Sequence, residues 1–282
     1  MHRATEALIA LALQEDAAFG DLTSEAIFEP GHRSRASIEA REVMVVCGLD
    51  VARRVFLSVD PAVEITLEAG DGQEVKAGAT VLTAVGATIA LLTAERTALN
   101  FLQRLSGVAT LARRYADAAA ALGTGVRVVD TRKTTPGWRG LEKYAVRCGG
   151  CHNHRLSLGE HVLIKDNHIA AAGSIGKAVA RARAMAPPTA RIEVEADTLD
   201  QVRQALEAGA EVIMLDNMAP AQIRKAVETI AGRALVEVSG GVTLEKLPGL
   251  AQPGVDVISV GALTHSARAV DLSMILQPPD HS

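Results

Sequence analysis

Residues 212–241 read VIMLDNMAPAQIRKAVETIAGRALVEVSGG. The stretch opens with a short apolar run, 212–215, that stops at Asp216-Asn217. Pro220 then suits the first turn of a helix, where the N–H it lacks would be unbonded anyway. Gly232 is placed to end that helix. A second apolar run, 235–238, ends at Ser239-Gly240-Gly241. Strand, helix, strand at this spacing implies parallel strands joined by a crossover helix.

The same grammar extends both ways from about Val126. The candidate strands are 126–129, 162–164, 192–194, 212–215, 235–238 and 257–260. They are short and apolar on both faces, as buried parallel strands are. Thr198 and Gln201 form a capping-box pattern, and Gly209 is placed to stop that helix. The strands end in polar or glycine clusters: Asp130-Thr131-Arg132-Lys133, Lys165-Asp166-Asn167-His168, Glu195, Asp216-Asn217, Ser239-Gly240-Gly241 and Gly261. A helix cap explains one such residue but not a series of them. In a β/α barrel these ends surround one mouth, and the mouth holds the active site. The pattern predicts an α/β barrel with a ligand-binding mouth, open because its strands are fewer than eight.

Before about Gly107 the pattern is mixed. A helix is expected over 5–14, strands over 35–39 and 63–67, a turn-rich stretch over 70–78 and a helix over 93–106. The apolar run 7–13 follows His2 and Arg3, but Glu6 precedes it and Gln14-Glu15-Asp16 follows it. That favours an amphipathic helix over an export signal. The uncharged stretch 77–94 holds four threonines and two glycines. It reads as strand, turn and helix start, being short of the ~20 apolar residues of a membrane span.

The chain has 282 residues, with 48% hydrophobic and 22% charged, which fits a folded protein and excludes wholesale disorder. Its 29 Lys and Arg against 33 Asp and Glu give a net charge of −4. A general nucleic-acid or membrane-surface binder would carry a basic excess. Aromatics at 2% argue against a base-stacking platform. Three cysteines form no disulfide framework and suit a reducing compartment, so a cytoplasmic protein is expected.

Against that acidic total, residues 127–165 hold eight Lys or Arg and three acids, with His152, His154 and His161 among them. Arg132, Lys133 and Lys165 directly follow apolar strands and should point into the mouth. Converging cations repel one another and are tolerated where an anion neutralises them. The expected ligand is small and multiply negative. Ser239-Gly240-Gly241 and Gly261 add a second anion signal, since glycine lets backbone N–H groups approach a phosphate. Glu195 and Asp216, on neighbouring strand ends, could hold Mg2+, accept hydrogen bonds from sugar hydroxyls, or pair with the mouth's own cations. Cys148-Gly149-Gly150-Cys151-His152 matches a haem-attachment pattern, but no export signal or second ligand pair supports haem or metal there. Cys47 reads as core.

These residues resemble a known family. The segments Asp130-Thr131-Arg132-Lys133-Thr134-Thr135-Pro136-Gly137, Glu142-Lys143-Tyr144-Ala145-Val146, Asn153-His154-Arg155 and Leu163-Ile164-Lys165-Asp166-Asn167-His168 are similar to those of the quinolinate phosphoribosyltransferase family, the carboxylating nicotinate-nucleotide pyrophosphorylases. Glu95-Arg96-Thr97-Ala98-Leu99-Asn100, Glu193-Val194-Glu195, Leu215-Asp216-Asn217 and Ser259-Val260-Gly261 extend the likeness over nearly the whole chain. The resemblance implies an N-terminal α/β sandwich domain (1–107), a partial α/β barrel (108–267) and a tail (268–282) that packs with the first domain. It implies a homodimer in which Arg96 completes the partner's site. Arg132, His154, Arg155 and Lys165 would hold the two carboxylates of quinolinate, with Lys133 close by. Glu195 and Asp216 would serve the ribose and Mg2+. Ser239, Gly240, Gly241, Gly261 and His265 would bind the phosphates of phosphoribosyl pyrophosphate. Lys133, Glu195 and Asp216 are the catalytic candidates in de novo NAD biosynthesis.

The family usually has glycine where Cys151 and Ser157 stand and aspartate where Glu160 stands. Rival readings are a paralogue linked to molybdenum transport, a nicotinate-specific transferase, and a lipoyl- or biotin-carrier module suggested by residues 68–82. The run Lys165-Asp166-Asn167-His168 favours the first reading over the paralogue, and one carboxylate would need fewer cations.

Overall fold

The computed structural model describes residues 3–277, and the chain divides into two compact units. The first gathers the residues up to Arg113, Thr135–Gly150 and those from Ala267 on; the second is Arg114–Thr134 with Cys151–Ser266. In chain order the strands are β1 (Arg33–Ala40), β2 (Met44–Val45), β3 (Glu64–Leu67), β4 (Glu74–Val75), β5 (Thr80–Ala87), β6 (Arg127–Val129), β7 (Val162–Ile164), β8 (Ile192–Ala196), β9 (Val212–Asp216), β10 (Leu235–Ser239), β11 (Val257–Ser259) and β12 (Leu272–Gln277).

The first unit is built on an antiparallel sheet of order β12-β1-β5-β3, with a small β2-β4 pair beside it in the topology. Strand β1 alternates as a half-buried strand must: Ser34, Ala36, Ile38 and Ala40 are buried between more exposed neighbours. Strand β12 pairs with β1 from Arg35↔Gln277 to Ala40↔Leu272, so the described part of the tail joins this sheet. Residues 278–282 of the expected tail lie outside the described residues.

Strand β5 passes directly into the helix Thr88–Ala121, without the turn read from sequence. Buried Thr88 anchors the junction through His32 Nδ1 and Ser34 Oγ, each at 2.7 Å. This helix was expected over 93–106 and is 34 residues long. Gly107 does not stop it. A Cβ there would lie 2.0 Å from the Arg268 carbonyl oxygen, so glycine permits a close backbone approach inside the helix. Its apolar face (Leu91, Ala94, Ala98, Leu102, Leu105, Ala109 and Ala112, all buried) repeats at helical spacing. Helix Arg139–Cys148 belongs to this unit too. Glu142 on it is fully buried and accepts from Arg104 Nη2 at 2.7 Å and from the Thr135 amide at 3.0 Å.

The second unit is a six-stranded parallel sheet of order β6-β11-β10-β9-β8-β7. β6 and β7 are its two edges and do not pair, so the barrel is open, as expected. Beside β6, His152 substitutes for part of a missing strand: its N–H donates to the Val128 carbonyl at 2.9 Å and its carbonyl accepts from the Asp130 amide at 3.1 Å. The crossover helices carry the expected caps. Thr198 accepts from the Gln201 amide while Gln201 accepts from the Thr198 amide at 3.0 Å. Pro220 opens its helix and Ala231 (φ +48°), just before Gly232, caps the other end of it; Gly209 (φ +81°) follows the end of the preceding helix.

Candidate active site

Side chains alternate across a strand, so residues two apart share a face. Leu163 and Lys165, Met214 and Asp216, and Glu237 and Ser239 are such pairs, and all six line one cavity of about 340 Å³. Thr131, Arg132, Lys133, His154, Arg155, Glu195 and Ser259 complete its wall. Every lining residue belongs to the second unit. Of the strand ends expected to form a mouth, those at 130–133, 165–168, 195, 216–217 and 239–241 contribute to it, whereas Gly261 does not line it.

The two motifs around Asp130 and His154 are joined by one carboxylate. Asp130 is fully buried; its Oδ2 accepts from Asn153 Nδ2 at 2.6 Å and its Oδ1 from the His154 amide at 3.0 Å. This clamp delivers His154 and Arg155 beside Arg132. Arg155 Nη1 donates to the His161 carbonyl at 3.1 Å. Burial and the neighbouring Arg132 charge hold its guanidinium pKa below the usual range. Arg132 Nε is buried with no hydrogen-bond partner among the described residues. Within 4.0 Å, no described carboxylate pairs with Arg132, Lys133 or Arg155, whereas Lys165 Nζ lies 3.0 Å from Glu195 Oε2.

His154 lines the cavity and also meets two carboxylates that the sequence reading did not place beside it. Its Nδ1 accepts from the Arg155 amide at 2.9 Å, so a hydrogen sits on Nε2. Nε2 lies 3.4 Å from Glu237 Oε2 and 3.5 Å from Glu193 Oε2; His161 Nε2 lies 3.0 Å from the same Glu193 oxygen. Both glutamates are buried mid-strand, where the sequence was read as apolar. Burial alone would raise Glu193, but the bonds from His154 and His161 outweigh it and hold the carboxyl at about 2. Burial, helped by the Glu193 charge, raises Glu237. Period-two spacing before Glu195 and Ser239 was the signal that could have placed these glutamates on the inner face.

Glu195, Asp197 and Asp216 offer carboxylate oxygens within 4.8 Å of one another. Asp197 was not singled out from sequence. Asp216 Oδ2 accepts from Asn217 Nδ2 at 2.6 Å. Gly240 (φ +96°) packs so tightly on Asn217 that a Cβ would meet Oδ1 at 2.2 Å. Gly241 follows at φ +55°, its carbonyl taking Lys246 Nζ at 3.1 Å. A Cβ on Gly261 would stand 3.0 Å from His265 Nε2 and 3.2 Å from Lys133 Cδ. Ser239 lines the cavity; Gly240, Gly241, Gly261 and His265 adjoin its strand ends without lining it. Arg96 is exposed on the helix Thr88–Ala121, in the first unit.

The departures from the family pattern are locally accommodated. Glu160 accepts the Leu156 amide at 2.6 Å, and Ser157 Oγ takes the Gly159 amide at 3.4 Å. Cys151 is buried, and burial with the Asp130 charge pushes its thiol up to about 12. It joins none of the metal-compatible clusters among the described residues.

An open parallel α/β barrel whose mouth concentrates guanidinium, ammonium and carboxylate groups defines an enzyme acting on small anionic substrates. Residues 21–106 match the model of the quinolinate phosphoribosyl transferase N-terminal domain, and residues 108–275 that of the C-terminal domain. The chain belongs to this family. It is 44% identical to a probable nicotinate-nucleotide pyrophosphorylase (carboxylating) of Bacillus subtilis, over 92% of this chain and 89% of the relative. It is 43% identical to the nicotinate-nucleotide pyrophosphorylase (carboxylating) of Mycobacterium leprae, over 94% of each. The crystal structure of the Ehrlichia chaffeensis nicotinate-nucleotide pyrophosphorylase superposes with a TM-score of 0.93 at 37% identity, covering 98% of this chain and 100% of that one. Among the described residues no helix is long and apolar enough to cross a membrane.

Proposed function

We propose that the protein transfers the phosphoribosyl group of phosphoribosyl pyrophosphate to quinolinate with loss of carbon dioxide, giving nicotinate mononucleotide and pyrophosphate. The observation that carries this reading is the set Arg132, Lys133, His154, Arg155 and Lys165 around one cavity. Among the described residues Arg132, Lys133 and Arg155 have no carboxylate within 4.0 Å, which suits a guest with two carboxylates beside a phosphorylated sugar. The relatives' names support the same chemistry.

Arg132 and Arg155 bind the quinolinate carboxylates, with Lys165 and the Nε2–H of His154 on the same wall. The pyridine nitrogen attacks the anomeric carbon as the bond to pyrophosphate breaks. Positive charge develops on the ribose ring, and Glu195 or Asp216 stabilises it electrostatically. The resulting pyridinium withdraws electrons from the adjacent carboxylate, which leaves as carbon dioxide. The Lys133 ammonium returns a proton to the ring carbon. No covalent enzyme intermediate is needed; the site works by holding two mutually repelling anions in reacting geometry.

Carboxylate oxygens are the donors Mg2+ prefers, so the cluster of Glu195, Asp197 and Asp216 fits that ion. Bound there, Mg2+ would neutralise the departing pyrophosphate. Ser239, Gly240, Gly241, Gly261 and His265 receive the phosphates, with positive-φ glycines giving close backbone approach at 240 and 241. A homodimer in which exposed Arg96 completes the partner's cavity, located in the cytoplasm, belongs to the same reading. Nothing favours the molybdenum-linked or carrier alternatives.

The deciding assay is carbon dioxide release from carboxyl-labelled quinolinate, with and without phosphoribosyl pyrophosphate and Mg2+. Release that needs both substrates is expected; none with both present refutes the reading. For the dimer, Arg96→Ala chains mixed with Arg132→Ala chains should regain activity by forming one intact site.

A further inference from the structure

A second cluster of reactive groups lies outside the cavity, wholly within the first unit. The Sγ atoms of Cys47 and Cys148 and a carboxylate oxygen of Asp71 lie within 4.8 Å of one another. The thiols sit about 100 residues apart in the chain. Cys47 is buried and fixed by its backbone: its N–H donates to Ser106 Oγ at 2.9 Å, and Ser106 Oγ donates to its carbonyl at 3.2 Å. Cys148 closes the helix Arg139–Cys148 and is partly exposed.

Asp71 is already committed. Its Oδ1 accepts from the Gly48 and Leu49 amides at 3.0 and 3.1 Å, and its Oδ2 from Tyr144 Oη at 2.8 Å. A cation would have to displace those donors, so the group is poor as a metal site. As a dithiol it is well arranged. The neighbouring Cys47 thiol lowers the Cys148 pKa, while burial and the Asp71 charge oppose it. The same contact, with burial, raises Cys47. A partly exposed thiol with a lowered pKa thus stands beside a buried thiol with a raised one.

We propose that Cys47 and Cys148 are a modification site, a dithiol that a peroxide converts reversibly to a disulfide. The Cys148 thiolate attacks one peroxide oxygen. An S–O bond forms, the O–O bond breaks, and hydroxide leaves, giving the sulfenic acid. The Cys47 sulfur then attacks that sulfur. An S–S bond forms, the S–O bond breaks, and the oxygen departs as water with the Cys47 proton. Two sulfurs lose two electrons and the peroxide gains two.

The test uses the full chain, treated with hydrogen peroxide, alkylated under denaturing conditions and weighed intact. Expected is a species that carries one alkyl group where the reduced chain carries three, with one linked peptide pair, 47 with 148, reversed by dithiothreitol. Its melting midpoint should rise by roughly 5–10 °C, because the bridge closes a loop of ~100 residues. Cys148→Ser should form no bridge through Cys151. Cys47→Ala should leave Cys148 as a dimedone-reactive sulfenic acid. The proposal is overturned if, in the unsubstituted chain, both thiols stay alkylatable, if Cys148 proceeds to sulfinic acid while Cys47 remains free, or if one zinc ion per chain purifies with both thiols. The two unsubstituted-chain measurements stand whether or not either variant folds.

Discussion

The carboxylate of Asp130 accepts the backbone N–H of His154 at 3.0 Å. This contact ties the end of β6 to a segment that follows it by more than twenty residues. It places Arg155 and Arg132 in one cavity, where burial and the Arg132 charge lower the Arg155 pKa. The two motifs are therefore one device, and Asp130 works through position, without lining the cavity.

Replacing Asp130 with Asn keeps the shape but turns an N–H donor toward other donors. The loss should be about 2–4 kcal/mol of stability. Urea unfolding should show it, and kcat/KM for quinolinate should fall at least ~10-fold as His154 and Arg155 shift.

On the proposed assignment, Arg155→Ala removes a charge-assisted contact to quinolinate only. The KM for quinolinate should rise roughly 10–100-fold, while that for phosphoribosyl pyrophosphate changes by less than about 3-fold. Equal rises in both constants would contradict the assignment of Arg155 to the dicarboxylate.

Glu195→Gln and Asp216→Asn each remove a negative charge from the oxygen cluster. Turnover should drop on the order of 100-fold in either variant. A Mg2+ titration of the remaining activity should have a higher midpoint. An unchanged midpoint in both variants would remove these residues from the metal assignment.

Gly107→Ala sets two effects against each other. In an open helix the change would stabilise by ~1 kcal/mol. Here the new Cβ would stand 2.0 Å from the Arg268 carbonyl oxygen, so something must shift. The clash should win, at about 1–3 kcal/mol, read as a lower thermal midpoint.

Glu193 is held at about 2 in the folded chain, below its ordinary 4.5. A depressed carboxyl gives stability that is complete above the unfolded value and fades as pH falls toward the folded one. Its contribution, on the order of 3 kcal/mol, should therefore be lost between about pH 4.5 and 2. Glu193→Gln should flatten that part of the acid-unfolding curve and, because Glu193 helps hold His154 up at about 9, should also reduce the loss of stability between about pH 6.5 and 9.

Much of the site was legible before any coordinates. Arg132, Lys133, Lys165, Glu195, Asp216 and Ser239 sit at or just past strand ends, and strand ends are marked locally by where an apolar run stops. All six line the cavity. Glu193 and Glu237 were given no role because the strands that hold them were read as apolar on both faces. Their meaning depends on His154 and His161, which arrive from a distant loop.

What the sequence by itself determined was the class of fold and the chemical character of the mouth. Alternation, caps and the residues after each strand are short-range, and short-range signals survive in a linear reading. What only the tertiary structure decided was which groups confront one another. Cys148 faces Cys47 and not its neighbour in the C-x-x-C-H pattern, and Gly107 sits under a carbonyl without ending its helix. Glu142 is buried on Arg104. Each of these pairings joins residues tens to hundreds of positions apart. They are set by where the packed elements meet, a property no stretch of the chain carries alone.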